Sequence, residues 1–148
     1  MLIELRVPSV RRYPAPVVVV SRQALEHAVQ AVWSAMTSSA SDWTERNPAK
    51  GQCAVTACVV QDYFGGNILN SIATLPSGET VSHYFNIIDS ETVDLTRAQF
   101  PPGTSFSAPE PKTKGFPSTR DYCLSFDRTR QRYDVLSSRV FAYLQAKE

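Results

Sequence analysis

The sequence predicts an α+β domain in which helices pack on an antiparallel sheet. Three observations carry that prediction. Residues 21–37 and 127–146 repeat apolar side chains at helical spacing. Residues 52–64 are small or apolar nearly all round, as in a buried helix. Strand-like runs then follow at 67–75, 80–88 and from 92 to 95, each separated from the next by turn-forming residues.

Each element has its own signal. Residues 1–20 read as an extended leader: Pro8, Pro14 and Pro16 exclude a helix, and the alternation over residues 2–7 suits one edge strand. Ser21 is an N-cap for the first helix, whose stripe is Leu25, Ala28, Val29, Val32, Trp33 and Met36, running to about Thr37. Residues 38–42 break it, and an irregular segment over 43–51 contains Pro48 and ends at Gly51. The buried helix follows, with Gly65-Gly66 as its stop. In the second strand Val81, His83, Phe85 and Ile87 share one face. Thr96 caps one helical turn ending at Phe100. Residues 101–119 carry five prolines and read as a long loop of the kind that serves as a functional flap. A short turn around 120–124 precedes the last helix, whose stripe is Tyr133, Leu136, Val140, Phe141 and Leu144.

The bulk numbers exclude several classes. With 148 residues, 43% of them apolar and 20% charged, the chain suits one domain with a real core, 1–148. A net charge of +1 gives no reason to expect nucleic acid. No apolar run approaches the roughly 20 residues of a membrane span, so no membrane partner is expected. Glu4, Arg6 and Pro8 do not read as a secretory signal. Three unevenly spaced cysteines suit reduced thiols and a cytoplasmic protein better than a disulfide framework.

Cys53 opens the buried helix directly after Gly51-Gln52. Orphan amides and the helix dipole favour a thiolate there and can hold an oxyanion at an acyl carbon. The plainer reading is a small core residue, the reading given to Cys58 and Cys123. A cysteine nucleophile needs a base. Of the two histidines, His27 lies mid-helix at the edge of the apolar stripe and reads as a surface or boundary residue, whereas His83 sits among apolar neighbours on a strand and needs a partner.

Asp94, between Val93 and Leu95, is the candidate orienting acid; its plainer reading is a turn acid before Thr96. With a loop over 87–90, Asn86 pairs with Glu91 and His83 lies opposite Asp94, about 5 Å apart at Cβ. With a turn centred on Ser90-Glu91 the two are offset by four residues, at about 3.4 Å each, and cannot touch. Both registers remain open on the sequence. Asn47 and Gln52, upstream of Cys53, are candidates for holding an oxyanion or substrate, or else a turn residue and a plain cap.

Gly51-Gln52-Cys53-Ala54-x-Thr56-Ala57, Gln61-Asp62-x-x-Gly65-Gly66, Ser82-His83-Tyr84-Phe85-Asn86, Asp94-Leu95-Thr96-x-x-Gln99-Phe100 and Arg132-Tyr133-x-x-Leu136 together resemble the YunG-like family of small uncharacterised bacterial proteins. The resemblance runs from about Trp43 to Leu144. The order of helix-start Cys, strand His and strand Asp is also similar to the papain-like core shared by peptidases, transglutaminases and acyltransferases. That resemblance implies a Cys53–His83–Asp94 triad, with Asn47 where papain-type enzymes place an oxyanion amide. The chain departs from papain itself in lacking a Cys-Gly-x-Cys-Trp context and in offering Asp as the third member.

The expected function is therefore a thiol-dependent hydrolase or acyltransferase on an amide or ester bond of an unknown small-molecule or peptide substrate, without a cofactor. One competing expectation is a non-catalytic module of the same fold, binding a peptide or protein partner through Trp43, Tyr84 and Phe116. The other is a metal held by Cys53, His83 and Asp94, which no Cys-x-x-Cys or His-x-x-x-His pair supports.

Overall fold

The structure, a computed structural model, describes residues 2–6 and 17–147; the leader prolines Pro8, Pro14 and Pro16 lie outside the described residues. Strands β1 (Leu2–Arg6) and β2 (Val17–Ser21) pair antiparallel as a two-stranded sheet, so the leader holds two strands where the alternation predicted one. Helices α1 (Arg22–Val32) and α2 (Cys53–Phe64) follow. Strands β3 (Asn67–Thr74), β4 (Thr80–Ile88), β5 (Glu91–Val93) and β6 (Ser105–Phe106) make an antiparallel sheet in the order β5-β4-β3-β6. A 3₁₀ turn, Arg97–Gln99, lies between β5 and β6, and helices α3 (Thr119–Leu124) and α4 (Asp127–Ala146) close the chain. The arrangement is α+β, as predicted.

The amphipathic stripes fold as expected. Leu25, Ala28 and Val29 of α1, Val55, Val59 and Val60 of α2, and Leu136 and Val140 of α4 meet Ile88 of β4 in one buried core. Burying a side chain of this size contributes about 1.5–3 kcal/mol. Ser21 caps α1, its hydroxyl accepting from the Ala24 amide at 3.0 Å. The helix nevertheless stops at Val32, five residues short of the predicted end. Trp33 turns out of the helix at ψ 141° and its indole donates to Thr56 Oγ1 on α2 at 3.0 Å. Thr37 bonds back to Ser34, an arrangement that competes with helix continuation. Met36, assigned to the stripe, is 62% exposed.

The 101–119 segment is not wholly loop. Residues 105–106 pair with β3, and an isolated bridge joins Asn70 to Glu110. The edge amides of β3 need partners, and Ser107 supplies them: its hydroxyl accepts from the Ile72 amide at 2.8 Å and its amide donates to the Ile72 carbonyl at 3.0 Å.

The β4–β5 hairpin follows neither predicted register. Its turn is Asp89-Ser90, both left-handed (φ 50° and 66°), which is the two-residue geometry matched to strand twist. Ile88 pairs with Glu91, Ile87 with Thr92 and Asn86 with Val93. The chain leaves the sheet at Asp94, before reaching a position opposite His83.

Candidate active site

Among the described residues, the early end of β5 leaves the outer edge of β4 without a strand partner over residues 80–85. The N-terminus of α2 fills part of that edge. Ile72, the β3 partner of Ser82, turns its own polar groups toward Ser107. Alternation in an antiparallel pair then turns the Ser82 carbonyl to the opposite side, where it accepts the Cys53 thiol at 3.8 Å.

Two constraints hold Cys53 in place. Gly51 has φ +74°, and a Cβ there would meet Ser38 Oγ at 2.4 Å and the Ala40 amide nitrogen at 2.6 Å, so only glycine lets the chain pass. Asn86 Nδ2 donates to the Ala57 carbonyl at 2.9 Å and pins α2 to β4 one turn further on. Gln52, the N-cap residue, makes no side-chain cap.

His83 is wholly buried on the odd-numbered face of β4. Phe100 meets its ring edge-on at 4.9 Å between centroids, Phe85 stacks at 5.7 Å and Phe106 lies at 6.0 Å. Nε2 lies 2.7 Å from Asp94 Oδ2. Although Asp94 does not stand opposite His83, the diagonal of a twisted hairpin is within side-chain reach. The Thr96 amide donates to Asp94 Oδ1 at 3.3 Å, Arg97 approaches Oδ2 at 3.5 Å, and only 8% of the carboxylate side chain is exposed. Nδ1, the other ring nitrogen, is buried without a hydrogen-bond partner among the described residues.

Burial alone would push the imidazole pKa down. The hydrogen bond to Asp94 and the neighbouring Cys53 sulfur push it up, and the balance stands at about 9. Burial pushes the Cys58 and Cys123 thiols up to about 12, so both stay protonated.

Cys53 opens onto a cleft of about 650 Å³. One wall is the segment from Ser39 to Gly51, including Asn47; the other is Leu75, Glu79, Val81 and Ser82; Gln99, Phe100 and Pro101 complete it. Cys53, His83 and Asp94 thus come together, and Asn47 lines the same cleft. Asn47 Nδ2 donates to the Gln99 carbonyl at 3.1 Å and keeps a second hydrogen. Gln52 does not line the cleft: it is fully buried and donates to the Ser34 carbonyl at 3.1 Å.

Sequence reasoning gave no role to Ser82, Arg97 or Gln99. Ser82 and Gln99 stand inside the motif blocks quoted for the resemblance, and that was the available signal. Gln99 Oε1 accepts from the Gly51 amide at 3.4 Å, tying the 3₁₀ turn to the approach of α2.

The competing expectations find less in the geometry. Trp43 bonds the Pro48 carbonyl, and Tyr84 packs on the Cys58–Cys123 cluster; of the three aromatics only Phe116, at 43%, is largely exposed. Among the described residues no three His, Cys, Asp or Glu side chains are placed to share a metal ion. None of the described helices is long and apolar enough to cross a membrane.

The fold and cleft define a class: an α+β protein with a helix-start cysteine beside a buried His–Asp pair. The YunG family model, described as YunG protein, matches residues 21–145, and the chain belongs to that family. Over 76 residues it is 37% identical to a protein of Bacillus subtilis (strain 168) whose name reads Uncharacterized protein YunG, an overlap covering 51% of this chain and 60% of that relative. No solved structure matches.

Proposed function

We propose that the chain is a thiol-dependent hydrolase or acyltransferase acting on an amide or ester bond, with Cys53, His83 and Asp94 in a papain-like arrangement. The observation that supports this most is the buried His83–Asp94 pair, 2.7 Å apart, whose second ring nitrogen has no partner beside the Cys53 sulfur. A buried nitrogen without a partner is costly in a purely structural histidine. Turned from the Ser82 carbonyl toward that nitrogen, the thiol would have a base to take its proton.

In the proposed reaction the proton of Cys53 rests on His83 and the sulfur attacks the substrate carbonyl carbon. The carbonyl electron pair moves to oxygen, where the Cys53 amide and the free Asn47 hydrogen stabilise it. On collapse the bond to nitrogen or oxygen breaks and His83 protonates the leaving group. Water, or an acceptor amine or alcohol, then gives its proton to His83 and attacks the thioester carbon; the carbon–sulfur bond breaks and the sulfur leaves as thiolate. Asp94 holds the ring orientation and its charge throughout.

An acyloxymethyl ketone probe at pH 7, followed by peptide mass mapping, tests this reading. One adduct is expected, at Cys53, absent in Cys53→Ala and slowed in His83→Ala. Preferential labelling of Cys58 or Cys123, or a rate indifferent to His83→Ala, overturns it.

A further inference from the structure

The Cys53 cleft carries three charged side chains: Asp42, Lys50 and Glu79. Asp42 and Lys50 neutralise each other at 2.7 Å on one wall. Glu79, on the other, has no ion pair among the described residues. The cleft therefore presents one net negative charge, placed at the β3–β4 hairpin. The backbone holds that position: the Leu75 amide donates to the Glu79 carbonyl at 2.8 Å, and the Glu79 amide donates to Ser77 Oγ at 3.3 Å.

Leu75 and Val81, both half-buried and apolar, line the same cleft as Glu79 and the sulfur. Glu79 is the last residue of the hairpin turn before β4, three positions ahead of Ser82, the residue that holds the thiol. About 10 Å of extended backbone therefore separates it from Ser82, whose carbonyl accepts the thiol at 3.8 Å. A lysine or arginine reaches about 7–8 Å from its carbonyl carbon to its cationic end, with a stem that covers apolar surface on the way, and a charge-assisted hydrogen bond of about 2.8 Å covers the rest.

We infer that this cleft selects an acyl group bearing a lysine- or arginine-like cation, with the stem on Leu75 and Val81 and the charge at Glu79. The inference rests on the thiol-dependent reading above and supplies its substrate class. A cleft of about 650 Å³ holds one or two residues. An acidic acyl group would meet like charge, so the same carboxylate both attracts and rejects.

Two experiments separate this inference from the reaction itself. The first compares coumarin esters of N-acetyl-lysine, N-acetyl-norleucine and N-acetyl-glutamate. The lysyl ester should exceed its norleucyl isostere in kcat/KM by about fivefold, the scale of a single part-exposed charge pair, with the glutamyl ester lowest. Glu79→Gln should bring the lysyl-to-norleucyl ratio to about one, and Glu79→Lys should place the glutamyl ester above the lysyl ester.

The second titrates Cys53→Ala protein with the matching N-methylamides by NMR, and the same ratio is expected in Kd. Turnover or binding without a charge preference overturns the inference and leaves the hydrolase reading standing. A preference in binding with no turnover of any ester upholds the inference and overturns the hydrolase reading.

Discussion

Helix α2 is built differently at its two ends. At the C-terminal end Asp62 pairs with Arg120 at 2.7 Å and accepts from the Tyr133 hydroxyl. Arg120 also donates to the Cys58 carbonyl, to Gln61 Oε1 and to the Tyr133 oxygen, and Gln61 donates to the Gly66 carbonyl. Every charge there has a partner, and the network joins α2, α3 and α4.

Around the N-terminal end, Gln52 Oε1, His83 Nδ1 and Thr96 Oγ1 are buried without partners, no side chain caps the helix, and Gly51 holds a left-handed conformation. The contrast separates two uses of polar groups. A satisfied network fixes a structure, and buried polar groups left without partners mark an end of the helix that is not built for stability alone. On that division, substitutions at one end should change reactivity and substitutions at the other should change stability.

The largest effect is expected from Asp94→Asn. Losing the carboxylate removes the charge that holds His83 protonated and oriented, so the acylation rate of Cys53 at pH 7 should fall on the order of 10³-fold. The His83 pKa should drop from about 9, because burial then acts with less opposition. Imidazole nitrogen chemical shifts across a pH titration measure it. A rate within a factor of two of the unsubstituted protein would mean that the N-terminal end is as purely structural as the other.

Next in size is the pH dependence of stability. The folded pKa of His83 is about 9 against an ordinary 6.5, so the folded state holds a proton that the unfolded state releases. The stabilisation is complete below pH 6.5 and is lost as pH rises through 9. Its size is about 3 kcal/mol at 1.4 kcal/mol per pKa unit. Urea midpoints at pH 6 and pH 9 should differ in that direction, and the slope should largely vanish in Asp94→Asn. Above pH 9 Cys58 and Cys123, both pushed up to about 12, act with the same sign, so the comparison belongs below that range.

Much of this was legible in the sequence because it rests on local rules. The apolar stripes, the Ser21 cap and the strand alternation each reflect neighbours a few residues apart. The end of α1 was not legible, because Trp33 leaves the helix to reach Thr56, which lies 23 residues away. The strand in the Pro-rich segment was hidden too, since Ser107 is needed only because β3 has an open edge. At the site, Cys53 and His83 stood out by context. The hairpin register did not, because Asp89 and Ser90 both adopt left-handed conformations without a glycine. Gln52 looked like an oxyanion donor by proximity alone, and its side chain points to Ser34 instead.

The smallest effect, and the sharpest check on the contrast, is expected from Asp62→Asn. The substitution leaves Arg120 without its carboxylate, while Tyr133 can still donate to the amide oxygen. Both partners are about a quarter exposed, so solvent screens part of the loss and the cost should be about 2 kcal/mol rather than that of a fully buried pair. Chemical denaturation should show a lower midpoint. The acyl-probe rate at Cys53 in the folded protein should stay within about twofold, because α2 separates the two ends by roughly 15 Å at 1.5 Å per residue. A tenfold fall in that rate would show that the Asp62 network positions the Cys53 end through the rigid helix. The two ends would then be one device, with the satisfied network supplying the orientation that the unsatisfied end uses.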